Sequence, residues 1–282
     1  MRLLPLAEAI ASHVRDGDSV ALEGFTHLIP FAAGHEIIRQ RRRRLHLIRM
    51  TPDLIYDQLI GMGCAERLTF SWGGNPGVGS LQRLRDAVER QWPQPLALCE
   101  FTHAEMAVAY QAGASGLSCA LMPHYVATDL ERQPGAAVKM LSCPFTGRPL
   151  AAVPALNPDV TILHAQQIDR EGNVLIRGIV GAAREAAMAA RRVLVTVEEQ
   201  VDRLPAELNA IVLPAWIVTA ASIVPGGAYP SYALGYYPRD NAFYLAWDTI
   251  ARDRDSFTAW MQRYVLGVHD HAALLRTLGV AA

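Results

Sequence analysis

Short apolar runs alternate with amphipathic stretches along almost the whole chain. The runs at 19–23, 45–50, 67–72, 96–101, 137–141, 159–164, 192–198 and 210–214 have the length of strands. The stretches at 5–15, 30–43, 53–62, 80–92, 103–115, 181–191, 240–251, 255–266 and 270–278 carry helical spacing. At the N-terminus Leu3, Leu4, Leu6, Ile10 and Val14 recur in that way, interrupted by Glu8 and His13. Alternation of the two kinds predicts an α/β fold: an open, mostly parallel sheet with helices on both faces. Pro144, Pro149, Pro154 and Pro158 fall within 142–158, which reads as a loop or a change of layer. No repeat or low-complexity tract divides the chain, so residues 1–282 read as one continuous domain.

Composition narrows the function. Hydrophobic residues make up 51% and charged residues 19%, enough apolar material for a sizeable core. The net charge of −1 supplies no basic field for nucleic acid. No apolar run reaches the roughly 18 residues of a membrane span, and the first helix lacks the form of a signal peptide, so a cytoplasmic chain is expected. Cys64, Cys99, Cys119 and Cys143 show no C-x-x-C spacing and read as buried thiols in a reducing compartment. Arg41-Arg42-Arg43-Arg44 reads as the solvated end of a helix, with contact to a ligand phosphate as the alternative.

Several segments hold candidate chemistry. From Asp16 to Pro30 an Asp-Gly turn feeds a strand that stops at Glu23-Gly24-Phe25, and Pro30 opens an amphipathic helix. Glycine at the carboxyl end of a buried strand lets a ligand approach the backbone. Trp72-Gly73-Gly74-Asn75-Pro76-Gly77-Val78-Gly79-Ser80 lies between a strand and a helix, with Ser80 expected as N-cap. Its free N–H groups suit an oxyanion, carboxylate or phosphate, or the segment is only a tight turn. It matches neither a Walker A loop nor a dinucleotide fingerprint. Glu100 ends a strand, where a partly buried carboxylate serves as acid, base or nucleophile and an exposed one caps the next helix. His164 and Gln166 follow an apolar strand, and Asp169 to Asn173 reads as a turn with Gly172 at positive φ. Glu198 and Glu199 read as a solvated strand end. Gly113-Ala114-Ser115-Gly116 has the wrong register for a hydrolase elbow, His103 and Glu105 do not form H-E-x-x-H, and the histidines offer no metal-ligand spacing.

Taken together, Leu22 to Pro30, Arg49 to Leu54, Phe70 to Ser80, Cys143 to Gly147, Pro158 to Thr161, His164 to Gln166, Pro225 to Gly227 and Ser231 to Asn241 resemble family I coenzyme A transferases. The branch is that of the glutaconate CoA-transferase A (α) subunits, where Glu23 stands in place of the first glycine of the usual signature. The resemblance spans roughly residues 5–270. It implies a CoA-transferase α-subunit fold and ping-pong transfer of CoA, for instance from succinyl-CoA to a dicarboxylic acid such as 3-oxoadipate, through a glutamyl-CoA intermediate. In such enzymes the B (β) subunit carries the glutamate on a strand end reading like Ser-Glu-Asn-Gly. Here the equivalent strand end reads Ile48 to Asp53, and Glu-Asn-Gly occurs nowhere in the 282 residues. The resemblance therefore implies no nucleophile in this chain, a partner in the form of a CoA-transferase B (β) subunit, an α2β2 assembly, CoA thioesters and small dicarboxylic acids bound as substrates, and no metal or organic cofactor. Gly24, Phe25, Arg49, Asn75, Gly77, His164 and Gln166 are the expected substrate wall, with Arg49 facing either a distal carboxylate or a salt bridge. Glu100 is the candidate catalytic residue if the chemistry is instead hydrolytic ring opening of a CoA thioester. A non-catalytic acyl-CoA-binding protein is the remaining alternative.

Overall fold

The structure, a computed structural model, describes residues 2–123 and 137–280. Strand β1 (Arg2–Leu3) leads into helix α1 (Leu6–His13). Alternation follows through β2 (Ser19–Glu23), α2 (Phe31–Arg39), β3 (Leu45–Ile48), α3 (Leu54–Gly61), β4 (Ala65–Phe70), α4 (Gln82–Arg90), β5 (Ala97–Glu100) and α5 (His103–Ala114). Next come β6 (Cys119–Pro123), β7 (Lys139–Ser142) and β8 (Pro149–Pro154), then β9 (Val160–Ile168), β10 (Val174–Ile176), α6 (Ala183–Ala189), β11 (Arg192–Gln200), β12 (Ile211–Leu213) and β13 (Ala220–Ile223). Helices α7 (Asn241–Arg252), α8 (Arg254–Met261) and α9 (His271–Leu278) follow, with a π turn at Gln262–Leu266 after α8.

Among the described residues the main sheet has ten strands, ordered β1-β13-β11-β9-β2-β3-β4-β5, with β10 and β12 added beside β9. Every neighbouring pair along that path is parallel. The predicted open parallel sheet is therefore what forms, and helices cover both faces. Val20 and Leu22 point to one side, into a core with Ile10, Ile37, Tyr56, Trp247 and Phe257. Ala21 and Ile48 point to the other side, against Met106 and Tyr110 of α5 and Ala186 of α6. This is the period-2 alternation of a strand buried on both faces. From β2 the chain builds outward through β3, β4 and β5; from β9 it builds the opposite way through β11 and β13. The strand order reverses between β2 and β9, and a crevice opens at the carboxyl ends of such a pair.

Several local expectations change. The proline-rich stretch holds a strand, β8, at the centre of a separate antiparallel sheet ordered β6-β8-β7. Pro149 and Pro154 occupy its two ends, where a missing N–H costs the ladder least. Leu3 belongs to β1 rather than to the first helix. The helix opened by Pro30 is enclosed rather than amphipathic, since Phe31 to Ile38 are all buried. Ser80 does not cap α4. Leu81 precedes that helix without a side-chain cap, and Asp57 Oδ1 accepts from the N–H groups of Arg83 and Leu84 at 2.8 and 2.9 Å. A carboxylate from a neighbouring helix thus satisfies the orphan donors.

The arginine run lies beyond α2, with Arg41 and Arg44 at φ 54° and 56°. Arg42 donates to the Ala11 carbonyl at 3.2 Å and Arg43 to that of Met62 at 2.9 Å, so the run caps the last turns of α1 and α3. All four cysteines are free, but only Cys64 is buried, and Cys119 is exposed. Gly172 turns the chain at φ 96°, with Asp169 Oδ1 accepting from Gly172 and Asn173. Among the described residues no helix is long and apolar enough to cross a membrane.

Burial holds His27, His35, His46 and His271 below the ordinary imidazole range, His46 and His271 at about 4. Unfolded, these groups take up protons below about pH 6.5; folded, they do not until lower pH. Their stabilisation is complete above that value and is lost as pH falls toward 4. Asp57, pushed up to about 6 by burial, opposes this trend. His271 donates from Nε2 to the Gly226 carbonyl at 2.8 Å, a bond that a glutamine amide can replace. In urea titrations, His271→Gln is expected to flatten the decline of unfolding free energy between pH 6.5 and 4 by up to about 1.4 kcal/mol per pH unit.

Candidate active site

The reversal between β2 and β9 sets where polar side chains gather. At the end of β2, Glu23 is 4% exposed and accepts a hydrogen bond from Tyr110 Oη at 2.8 Å. Burial pushes this carboxyl above its usual range, against the opposing field of Arg49. Gly24 then lets the chain fold back on itself. A Cβ there would lie 2.7 Å from the His27 carbonyl oxygen and 2.8 Å from that of Leu28. Phe25, half-buried, packs beneath Gly181. His27 splints the loop: its Nε2 accepts from Leu234 N–H at 3.0 Å, and Nδ1 donates to the Ile179 carbonyl at 3.2 Å. Those partners require the neutral ring that burial favours.

At the end of β3, Arg49 is 1% exposed. It donates to Asp53 Oδ1 at 3.3 Å and to the Gly24 carbonyl at 2.7 Å. The salt-bridge alternative is thus the one observed, and the guanidinium is buried against these two partners. It ties the loop after β2 to the loop after β3. Burial raises Asp53, and Arg49 counters it.

The glycine-rich segment after β4 closes on itself. Asn75 N–H donates to the Gly79 carbonyl at 2.8 Å, and Val78 N–H to the Asn75 carbonyl at 3.0 Å. Gly77 sits at φ 78° on the tip, where an added Cβ would meet nothing within 4 Å. Asn75 is buried, and its Nδ2 donates inward to the Tyr244 carbonyl of α7 at 2.7 Å. The side chain of Asn75 therefore fastens the turn, while the backbone of Gly77 faces open space. Nearby, Ser71 Oγ donates to the Met50 carbonyl at 2.7 Å and lies 3.0 Å from His103 Nδ1. The one hydroxyl proton is committed to Met50, so His103 donates to Ser71 and does not activate it as a nucleophile. Glu100 is exposed at the end of edge strand β5, not partly buried. Thr102 and Glu105 cap α5 in its place, as a capping box.

Across the reversal, His164 and Gln166 lie inside β9, not beyond it, and both are buried. His164 Nδ1 is 2.8 Å from Thr196 Oγ1 and its Nε2 is 2.6 Å from Glu198 Oε1. Gln166 accepts from Arg177 N–H at 3.0 Å and donates to the Arg177 carbonyl at 3.2 Å. Glu198 is not a solvated strand end. It is 6% exposed, and it also accepts from Tyr237 Oη at 2.6 Å and Gly226 N–H at 2.8 Å. Burial works against its charge, but the bonds from His164, Tyr237 and Gly226 outweigh that and hold it below the usual carboxylate range. Glu199 alone is exposed.

The structure thus brings Gly24, Phe25 and Arg49 together at one loop pair, and His164 with Gln166 on the facing strand. Asn75 and Gly77 stand over α7, and Glu100 lies apart on the sheet edge. Sequence reading missed Glu23 as a buried carboxyl, and missed Glu198 with Tyr237. The signal for Glu198 was its spacing from Thr196, two positions along a strand, which puts both on the face toward His164. Chemically, the buried carboxylates are all hydrogen-bonded within the fold. The rim offers backbone donors and half-buried apolar surface to a ligand, and no group of three His, Cys, Asp or Glu residues is placed to hold a metal among the described residues.

Comparison with known proteins places this geometry. The profile of the family described as coenzyme A transferase matches residues 4–220. The chain is 61% identical to the A (α) subunit of 3-oxoadipate CoA-transferase from Pseudomonas knackmussii, over 95% of each chain. It superposes on the crystal structure of glutaconate coenzyme A-transferase from Acidaminococcus fermentans with a TM-score of 0.92, at 29% identity, covering 99% of this chain and 93% of the other. On the structure of the decarboxylase AibA/AibB the TM-score is 0.80, at 32% identity, covering 93% and 98%.

Removing Arg49 tests the clamp between the two loops. Arg49→Met leaves Asp53 buried without its counter-charge, so urea titration is expected to show a loss of roughly 3–5 kcal/mol. Arg49→Lys, which keeps the charge, is expected to lose less.

Proposed function

The chain belongs to the coenzyme A transferase family, and from that premise we propose that it works as the α subunit of an enzyme moving CoA from succinyl-CoA to 3-oxoadipate. The observation that carries the reading is the 61% identity to the corresponding subunit of a 3-oxoadipate CoA-transferase, extending over 95% of both chains. An α subunit of this kind works with a β partner. In our reading the two form an α2β2 assembly in the cytoplasm, with residues 1–282 a single domain.

The chemistry follows from what this chain lacks and what it offers. The partner's glutamate carboxylate attacks the thioester carbon, the C=O pair moves onto oxygen, and the C–S bond breaks to leave a mixed anhydride and CoA thiolate. The thiolate attacks the glutamyl carbon, releasing succinate and leaving glutamyl-CoA. 3-Oxoadipate then repeats the two steps in reverse order. Every bond broken is matched by one formed, so CoA thioesters are substrates and no cofactor is consumed. Each tetrahedral oxyanion needs oriented donors. The present chain contributes one wall of the site, with Phe25 and Gly77 at its face. Gly24, Arg49, Asn75, His164 and Gln166 lie behind it and set the course of the loops.

The test is an assay of succinyl-CoA with 3-oxoadipate on the chain co-expressed with its β subunit, beside the chain alone. Turnover is expected only in the pair, and Glu100→Gln is expected to leave it unchanged. Turnover by the isolated chain, or its loss in Glu100→Gln, would overturn the assignment of the nucleophile to the partner.

A further inference from the structure

Residues 75–78 read Asn-Pro-Gly-Val and close with the bond from Val78 N–H to the Asn75 carbonyl at 3.0 Å. Proline in the second position and Gly77 at φ 78° in the third make this a type II turn. Types I and II differ by a flip of the central peptide, here Pro76–Gly77. Which way that peptide faces decides where Gly77 N–H points, because C=O and N–H of a trans peptide point to opposite sides. Gly77 N–H has no hydrogen-bond partner among the described residues. The Pro76 carbonyl does have one: Arg239 Nη2 donates to it at 2.8 Å.

Arg239 is itself well held. Its Nη1 donates to Asn241 Oδ1 at 2.9 Å, at the start of α7. Its guanidinium lies 3.7 Å from the centroid of the Tyr244 ring, one turn further along. The Tyr244 carbonyl holds Asn75 Nδ2. One helix end therefore grips the turn twice, at the Asn75 side chain and at the Pro76 carbonyl. A cation on that carbonyl also polarises the peptide and makes its N–H a better donor.

We propose that Arg239 is a positioning residue for acyl transfer: its hold on the Pro76 carbonyl keeps the turn in type II and aims Gly77 N–H at the thioester carbonyl oxygen. This rests on the transferase reading above. As the partner's carboxylate adds to the thioester carbon, negative charge grows on that oxygen, and a donor already aimed at it needs no reorganisation. Arg239 touches neither substrate nor reacting atom; it acts through the peptide.

The test uses the complex with the β subunit and the variants Arg239→Ala and Arg239→Lys. Arg239→Ala is expected to lower kcat about 10- to 100-fold, part of the loss seen when an oxyanion donor is removed outright, with KM for succinyl-CoA nearly unchanged. Arg239→Lys, which can still donate to the carbonyl, is expected to recover much of kcat. Amide hydrogen exchange over residues 74–79 is measured on the same proteins and is expected to quicken in Arg239→Ala. A rise in KM with kcat intact, or wild-type kcat and exchange in both variants, overturns the proposal. If Arg239→Ala does not assemble, Arg239→Met decides, since it keeps the aliphatic stem but cannot donate to the carbonyl, and wild-type kcat and exchange there would overturn the proposal. If the wild-type complex shows no transferase activity, the transferase reading fails, and unchanged exchange in the turn would then overturn the clamp separately.

Discussion

The parallel sheet is the constraint from which the rest follows. Parallel neighbours cannot be joined by tight hairpins, so the eight strands of the parallel path are linked by crossovers, and their carboxyl ends meet on one rim. The strand order reverses between β2 and β9, so the loops that follow these two strands run to opposite sides. Glu23, Arg49 and Glu100 stand at or just beyond strand ends on that rim, while His164 and Gln166 lie inside β9 beside the end of β2.

Rim loops packed so tightly have to satisfy their own backbone and side-chain polar groups. Arg49 is spent on Asp53 and the Gly24 carbonyl, His27 on Leu234 and Ile179, and Glu198 on His164, Tyr237 and Gly226. These interactions are costly to break, because each would leave a buried donor, acceptor or charge unpaired. The consequence, among the described residues, is a rim rich in ionisable groups that are held by partners within the fold. What it presents outward is the backbone at Gly77 and the half-buried ring of Phe25. In the function proposed above, such a surface orients the acyl group and the partner supplies the reacting carboxylate.

The C-terminal helices serve this rim at a distance. Trp247 Nε1 donates to Asp57 Oδ2 at 3.1 Å, Gln82 to Asp248 at 2.7 Å, and Asn75 to the Tyr244 carbonyl. Helix α7 therefore fastens α3, α4 and the glycine turn together. Asp57, buried among them, supplies the cap that α4 lacks in its own sequence.

Much of the fold was legible in the chain. The runs that became β2, β3, β9 and β11 are apolar on both faces and bounded by turn residues, so their character survives any context. β8 and β13 were not legible, since Pro-Leu-Ala-Ala-Val-Pro and Ala-Ala-Ser-Ile carry no strong propensity and become strands only beside their partners. The same division holds at the site. By itself the sequence determined that glycines end β2 and follow β4, that Gly172 turns a loop, and that no Glu-Asn-Gly is present, because these are local facts of backbone freedom and composition. Only the tertiary structure decided that Arg49 faces Asp53 and not solvent, that Glu198 is buried against His164, that Glu100 is left on an edge, and that Arg239 reaches the Pro76 carbonyl from 163 residues away. Those outcomes depend on which strands become neighbours and how their carboxyl ends converge, and no window of sequence contains both sides of such a contact.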